Sequence, residues 1–330
     1  KNHAYEKNGH VLFHVPSYEN YGKLSKRNRD EQIAGSRVEV APFKKDPADF
    51  ILWKPSNNEQ PGWNSPWGYG RPGWHTECSA MSEKTLGLPF DIHGGGRDLT
   101  FPHHENEIAQ SCCSSAGTSD PKSYVNYWMH NGFVTVNGEK MSKSLGNISL
   151  VKDLTENNHG EVIRLSLLSS HYRQALDWND KIIHQAKKLL DKLYKVLSDL
   201  KDIKPSEINE SSMGFISPLL DDLNTPGLLA NLNKMIKDFK NISDKDLPEF
   251  KSKLLLANEL MGICQEDYLD WFNHDKEDLD TNMIDALVLE RLDAKKDKDF
   301  DKADSIRQQL LDMNIEIKDT ESGTDWTLKV

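Results

Sequence analysis

The chain has 330 residues, of which 28% are charged and 37% hydrophobic, and its formal net charge is −11. This composition is typical of a soluble globular protein with two or three domains, and the acidic balance argues against a general nucleic-acid coat. The sequence contains neither an apolar run of roughly 18 residues nor a secretory segment, so we expect a cytoplasmic protein that does not contact membranes.

The first half of the chain alternates between strand and helix patterns. Around Lys7-Asn8-Gly9, the residues from His3 to Phe13 alternate as in a β-hairpin. Farther along, short strands and helical stretches alternate up to about residue 147, an order that predicts an α/β sheet with crossover helices. The predicted strands are 90–93 and 133–136, and the predicted helices are 74–86 and 102–116.

Beyond residue 150 the pattern is helical. Apolar residues recur at helical spacing from Ile182 to Leu200 and from Leu228 to Phe239, which predicts a helix bundle. A polar stretch at 273–280 is interpreted as a linker. The last segment is expected to form two helices, at 284–296 and 301–313, and a short β-like end at 315–328.

Three residues of types that bind zinc lie in the first half. Pro102 suits the first turn of a helix, so His103 and Glu107, four residues apart, are expected to project from one face. Cys78, on the preceding predicted helix, could supply a third ligand, because zinc accepts a thiolate, an imidazole and a carboxylate together. Three protein ligands would leave a coordination position open for a substrate. Rival ligands are His104, Cys112 and Cys113.

A run of three glycines follows the predicted strand at 90–93. Gly94, Gly95 and Gly96 would then border the crevice beyond the strand, where open α/β sheets bind ligands. A plain glycine turn explains the run equally well. The chain has neither the GxGxxG fingerprint nor a P-loop, so the sequence predicts no dinucleotide enzyme and no P-loop NTPase.

A short cationic loop follows the Asn137-Gly138 turn. It contains Lys140 and Lys143, with Ser142 between them and Ser144 beyond. Two ammonium groups on one loop could stabilise the charge that builds up on a transferring phosphoryl group. Exposed lysines are also common for solubility alone, and the spacing does not decide between the two interpretations.

Longer motifs of the chain resemble a known enzyme family. The cationic loop reads KMSKS, which resembles the second signature of class I aminoacyl-tRNA synthetases. The stretches GWHTECSAM, DIHGGGRDLTFPHHENEIAQS and HNGFVTVNGEKMSKSLGN are similar to cysteinyl-tRNA synthetases in particular. The resemblance covers essentially the whole chain, through DFILWKPS near the front, LLDDLNTP in the helical part and ERLDAKKDKDFDKADSIRQQL near the end.

The resemblance implies a fold, a domain order and a reaction. The fold class is α/β plus all-α, with part of a Rossmann-like catalytic domain. The implied domains are the remainder of a connective insertion (1–50), the C-terminal half of the catalytic domain (51–150), a stem-contact region with a helix bundle (151–275) and an anticodon-binding domain (276–330). The implied reaction activates cysteine with Mg-ATP to cysteinyl-adenylate and then transfers the cysteinyl group to cysteine tRNA.

The resemblance also implies residue roles. It makes Cys78, His103 and Glu107 ligands of one Zn²⁺ per chain, which binds the substrate thiolate and so rejects serine. Trp74, His93 and Asp98 would contact the substrate. The implied ATP-binding residues are Gly94, Gly95, Gly96, Lys140, Ser142, Lys143 and Ser144, with Lys140 and Lys143 catalytic. Basic side chains near Arg291, Lys295, Lys296 and Arg307 would hold tRNA phosphates, whereas Trp326 is expected to be packed.

One departure from the family pattern is clear. The family's first signature, HIGH, does not occur in the chain. It belongs, with a further zinc-binding cysteine, to an N-terminal half-fold, so we expect the fourth protein ligand outside this chain. We therefore expect a fragment that does not charge tRNA by itself, and a monomer. The alternatives are a cysteine–sugar-amine ligase, which would not need residues 284–328, and a non-catalytic tRNA-binding module.

Overall fold

The computed structural model describes residues 2–34, 42–142, 144–277, 281–313, 315–320 and 323–328. The chain divides into two compact units. The first comprises Lys1–Phe133 with Tyr172–Ala175, and the second comprises Val134–His171 with Leu176–Val330. Among the described residues, no helix is both long and apolar enough to cross a bilayer.

The first unit opens with a four-stranded antiparallel sheet. Its strands, in spatial order, are β1 (Ala4–Lys7), β2 (His10–Phe13), β3 (Phe50–Pro55) and β4 (Gly70–Pro72). The short helix α1 (Arg29–Ala34) comes between β2 and β3 in sequence. Asn8 and Gly9 connect β1 to β2 with φ of 57° and 73°. Two positive φ values are what a tight hairpin turn needs, so the predicted hairpin is confirmed.

The rest of the first unit combines two helices with a parallel pair of strands. These elements are α2 (Trp74–Leu86), β5 (Phe90–Gly96), α3 (Glu105–Ser111) and β6 (Val125–Asn131). Strands β5 and β6 pair in parallel, and apolar residues such as Phe13, Phe50, Phe90, Ile108 and Val125 form the core beneath them. Helix α2 has the predicted bounds.

The predicted helix at 102–116 is less regular than expected. Wide π-type turns, Thr100–His104 and Cys112–Ala116, flank α3 at both ends. Phe101 has extended backbone (φ −140°, ψ 134°), so the helical path begins only at Pro102. This local geometry sets the direction in which the residues before α3 project.

The second unit begins with a three-stranded sheet. Strand β7 (Val134–Val136) lies between β8 (Glu139–Lys140), which is antiparallel to it, and β9 (Leu176–Trp178), which is parallel. The helices α4 (Val151–Thr155) and α5 (Gly160–Leu168) separate β8 from β9 in sequence. The predicted strand at 133–136 is thus confirmed from residue 134.

A helix bundle follows. Its members are α6 (Asp180–Asp199), α7 (Glu210–Phe215), α8 (Ser217–Leu220), α9 (Thr225–Asp238), α10 (Leu247–Met261) and α11 (Tyr268–Glu277). The side chains of Asn179, Asn209 and Asn224 cap α6, α7 and α9 by accepting backbone N–H groups. Fully buried leucines, among them Leu190, Leu193, Leu228, Leu232 and Leu254, form the bundle core, which confirms the predicted bundle.

The linker predicted at 273–280 is wrong for residues 273–277. Helix α11 continues through Glu277, and residues 278–280 lie outside the described residues. Trp271 anchors this helix to α6, because its Nε1 donates to Asp191 at 2.9 Å and its ring stacks on Tyr194. Local polarity predicted a linker here, and the contact of Trp271 with α6 is long-range, so the local pattern does not show it.

The last part of the chain matches its prediction. Helices α12 (Thr281–Lys296) and α13 (Phe300–Asp312) precede a hairpin of β10 (Ile315–Thr320) and β11 (Gly323–Leu328). Buried Ile284, Ile306, Leu310 and Ile315 hold these elements together, with Trp326 packed against them. The division of the chain into four domains stays a prediction.

Candidate functional site

The candidate metal ligands come from two helical segments of the first unit. Cys78 lies on α2, His103 in the turn before α3, and Glu107 on α3 itself. Their ligand atoms all lie within 4.8 Å of one another, which suits the separations of about 3.3 to 3.7 Å between ligands of tetrahedral zinc. His103 and Glu107 are buried and Cys78 is half-buried. The structure therefore brings together the three residues that were predicted from the sequence as candidate metal ligands.

The two carboxylate oxygens of Glu107 have different surroundings. Oε2 accepts hydrogen bonds from Nε2 of His93 at 2.6 Å and from the hydroxyl of Tyr124 at 3.0 Å. Oε1 lies 2.6 Å from Nε2 of His103, yet it has no well-aligned hydrogen-bond partner among the described residues. A buried acceptor without a donor costs about 1 to 3 kcal/mol. A cation at this point would remove that cost.

The charges of the site favour a metal ion. Burial raises the pKa of Glu107, but the neighbouring His103 and His93 outweigh it and bring the pKa to about 2, so the side chain is ionised at neutral pH. Burial and the nearby Glu107 raise the pKa of the Cys78 thiol to about 11. A coordinated Zn²⁺ would displace the thiol proton. The donor set, together with the unpartnered oxygen, fits zinc.

The ring of His103 is held from its other side. Its Nδ1 lies 2.6 Å from Nδ1 of His75, which leaves Nε2 directed toward Glu107. Second partners of this kind fix the orientation of metal-binding imidazoles. No role for His75 was predicted from the sequence, although this residue lies within the motif GWHTECSAM.

Trp74 lies at the mouth of a cavity beside this site. Its ring is 4.3 Å from that of His103, and 53% of the residue is exposed. The cavity has a volume of about 250 Å³, and its walls include Tyr21, Phe50 and Phe101. Trp74 is therefore not a core residue, and its role in substrate binding stays a prediction.

A second cluster shares Glu107. It consists of His93, His104 and Glu107, whose ligand atoms also lie within 4.8 Å of one another. Nδ1 of His104, however, lies 2.8 Å from Nε2 of His130, and burial lowers the pKa of His104 to about 3. Oε2 of Glu107, which faces His93, already accepts two hydrogen bonds. We therefore favour the Cys78 cluster for zinc.

The two rival cysteines lie elsewhere. Cys112 is buried in the core of the first unit, with its Sγ 3.4 Å from the carbonyl oxygen of Asp120. Cys113 lines a different cavity, together with Ser111 and Ser114. Within the described part of the chain, neither cysteine belongs to a cluster that could hold a metal ion.

The glycine run lies within the strand, not after it as predicted, and it does not form the alternative turn either. Gly94, Gly95 and Gly96 are the last residues of β5 and pair with β6. Close approach explains the glycine at one position, because a Cβ on Gly95 would lie 2.7 Å from Cε1 of the buried His104. A Cβ on Gly96 would lie 2.5 Å from Oδ1 of Asp98, but that exposed side chain can move away. Asp98 is exposed in the turn Arg97–Leu99. The roles assigned to His93, Asp98 and these glycines in binding substrate or ATP stay predictions.

The cationic loop belongs to the second unit. Lys140 is exposed at the end of β8, and the hydroxyls of Ser142 and Ser144 lie 3.2 Å apart. Asn147 closes the loop, since its Oδ1 accepts the backbone N–H of Ser142 at 2.8 Å and its Nδ2 donates to the carbonyl of Lys140 at 3.2 Å. Lys143 lies outside the described residues.

Basic residues near the end of the chain have acidic partners. Arg291, which is buried, and Lys295 both pair with Asp319, at 2.9 and 2.8 Å. Lys296 pairs with Asp293 at 2.9 Å. The structure therefore gives Arg291 a packing role between α12 and the hairpin. The phosphate contacts expected near these residues stay a prediction.

Comparison with known proteins agrees with the motifs. Residues 1–188 match the family model described as the class I (C) tRNA synthetase catalytic domain. A cysteine–tRNA ligase of Parvibaculum lavamentivorans is 51% identical over 98% of this chain and 69% of its own length. A cysteine–tRNA ligase of Xanthomonas campestris pv. campestris is 50% identical over 98% of this chain and 70% of its own length.

The chain belongs to the cysteine–tRNA ligase family. This membership confirms the predicted class of enzyme, a ligase, and the predicted class of fold, a class I synthetase catalytic domain joined to a helical part. A methionyl-tRNA synthetase of Mycobacterium tuberculosis bound to methionyl-adenylate has a TM-score of 0.49 and 18% identity, over 76% of this chain and 58% of its own. That structural likeness is weak, and the family assignment depends on the sequence relatives.

Proposed function

We propose that the chain carries the substrate-selecting part of a cysteine–tRNA ligase that activates cysteine with Mg-ATP. In this reaction a carboxylate oxygen of cysteine attacks the α-phosphorus of ATP, and the bond from that phosphorus to pyrophosphate breaks. A ribose hydroxyl of cysteine tRNA then takes the cysteinyl group and AMP leaves. The observation that carries the proposal is the convergence of Cys78, His103 and Glu107 beside a small cavity.

The residues of the site would divide the work. Cys78, His103 and Glu107 would hold Zn²⁺, which supplies a Lewis-acid position for the thiolate of the substrate. A thiol ionises far more readily than a hydroxyl, so this position would discriminate strongly against serine. Trp74 and His75, which border the cavity, would position the amino acid and exclude water.

The remaining roles concern ATP and tRNA. Lys140 and Lys143 would neutralise the charge on the phosphates, and Asn147 would hold the loop in shape through its two backbone contacts. The segment 281–328 would contact cysteine tRNA. We further propose a cytoplasmic monomer.

Metal and substrate binding test this function. We expect the purified chain to bind one equivalent of zinc and then to bind cysteine at least about 100-fold more tightly than serine. Cys78→Ser should abolish both, whereas Cys113→Ser, at another half-buried cysteine, should leave both unchanged. Equal binding of serine and cysteine, or zinc binding unaffected by Cys78→Ser, would contradict the proposal.

A further inference from the structure

The orientation of the Glu107 carboxylate depends on a residue outside the recognised motifs. Tyr124 follows the short turn Pro121–Ser123 and directly precedes β6. Its hydroxyl donates to Oε2 of Glu107 at 3.0 Å, on the same oxygen that accepts Nε2 of His93 at 2.6 Å. Oε1 is left without an aligned donor among the described residues and faces His103.

Tyr124 is held in place by packing. It is completely buried, and its ring meets the edges of Phe90 at 5.1 Å and His93 at 5.8 Å. A phenol is protonated at neutral pH, so toward an ionised carboxylate its hydroxyl can only donate. The parallel pairing of β5 with β6, in which Phe90 and Val125 are register partners, sets Tyr124 beside the rings of Phe90 and His93, in the same core as Ile108 of α3.

We propose that Tyr124 is a positioning residue for the metal site: with His93 it occupies Oε2 of Glu107 and so reserves Oε1 for the metal ion. This inference rests on the proposed zinc site. A carboxylate with one oxygen engaged by two donors binds a cation through its other oxygen, which keeps the coordination number low and a position open for substrate. Outer partners of this kind typically change metal affinity by 10- to 100-fold.

Tyr124→Phe tests the inference, since it removes one oxygen and keeps the volume of the ring. Zinc affinity of the full chain is measured by competition with a chromogenic chelator, and we expect it to fall 10- to 100-fold. Cobalt(II) chloride serves as a spectroscopic probe. We expect weaker visible absorption from the variant, because a freed Oε2 lets the carboxylate bind through both oxygens, and higher coordination absorbs less than tetrahedral cobalt.

Tyr194→Phe is the matched control. Tyr194 is also completely buried, and its hydroxyl donates at the same distance, 3.0 Å, to Oε2 of another buried carboxylate, Glu161. Both variants should lower the melting temperature, because each removes the hydrogen bond to a buried carboxylate, and Tyr194→Phe should lower it at least as much, since its hydroxyl also accepts the backbone N–H of Glu266 at 3.3 Å. Only Tyr124→Phe should change zinc affinity and the cobalt spectrum.

The outcomes separate the inference from the proposed function. If the unmodified chain binds no zinc, both fail. If it binds zinc and Tyr124→Phe binds zinc equally tightly with an unchanged cobalt spectrum, the inference alone is overturned. Should Tyr124→Phe not fold, His93→Leu removes the other donor to Oε2, and the same loss of affinity with the same spectral change is expected; unchanged values would overturn the inference.

Discussion

Glu107 in the first unit and Glu161 in the second are buried carboxylates with closely similar partners. Each accepts a hydrogen bond of 3.0 Å from a fully buried tyrosine, Tyr124 or Tyr194. The difference lies in the remaining acceptor positions. Both oxygens of Glu161 also accept backbone N–H groups, at 2.8 and 2.7 Å, from the turn after α10. One oxygen of Glu107 has no such donor among the described residues.

This difference separates a structural carboxylate from one that is ready to bind a cation. Glu161 ties α5 to the turn at Cys264 and Gln265, and its hydrogen bonds offset the cost of burying its charge. Glu107 is equally inaccessible, but its spare oxygen faces the imidazole of His103 and lies in one cluster with the thiol of Cys78. Burial alone therefore does not distinguish the two carboxylates, whereas an unsatisfied oxygen beside other metal-binding side chains does.

The largest expected effect comes from replacing each carboxylate by an amide. Glu107→Gln removes the charge that holds the metal, so zinc affinity should fall by more than about 100-fold, beyond the range typical of outer partners. Glu161→Gln should leave zinc affinity unchanged and lower the free energy of unfolding by about 2 to 3 kcal/mol. Chelator competition and urea denaturation measure the two quantities. Similar zinc affinities for the two variants would break the comparison.

Glu105 sharpens the comparison on a single helix. It lies two residues before Glu107 on α3 and is equally buried, but its oxygens accept the backbone N–H groups of Gly22 at 2.8 Å and Ser25 at 2.9 Å. Glu105→Gln should lower the free energy of unfolding by about 2 kcal/mol through these bonds. Zinc titration should give the same affinity for the folded variant as for the unmodified chain. A lower zinc affinity would show that the position of a glutamate on α3 matters more than its spare acceptor capacity.

The sequence predicted the local features of this site better than the long-range ones. The spacing of His103 and Glu107 and the bounds of α2, which carries Cys78, follow from local patterns. The three candidate ligands Cys78, His103 and Glu107 do cluster. HHENE by itself does not tell which glutamate has a spare oxygen, because the donors to Glu105 come from Gly22 and Ser25, about eighty residues earlier.

Three residues of the site were not predicted from the sequence, because their contacts are also long-range. Tyr124 contacts Glu107 from 17 residues farther along the chain, and His130 contacts His104 from 26 residues farther along. His75 contacts His103 from 28 residues before it. His75 and His130 are two of the five histidines between residues 75 and 130, and this concentration of histidines is the signal that could have found them. The strand was predicted to end at residue 93 because glycine is depleted in strands, and the close approach of His104 to Gly95 is a long-range contact that the sequence does not show.

The smallest expected effect concerns Asp319, an exposed carboxylate with cationic partners. Arg291, followed by Lys295 and Thr324, holds the pKa of Asp319 well below its usual range. Because the folded state favours the ionised form, this contribution to stability is complete above the unfolded pKa of about 3.9 and is lost as the pH falls through the folded pKa. Its size is at most about 1 kcal/mol, since 45% of the side chain is exposed.

Hydrogen exchange of the β10–β11 amides between pH 5 and pH 2 measures this loss, after correction for the intrinsic pH dependence of exchange. Asp319→Asn should flatten the dependence, whereas Asp293→Asn, at an exposed carboxylate that pairs with Lys296, should change it little. A larger effect at Asp293 would contradict the assignment. In water-accessible positions solvent can supply missing donors, so an exposed carboxylate such as Asp293 indicates no cation site. Spare acceptor capacity therefore points to a cation only at buried groups such as Glu107.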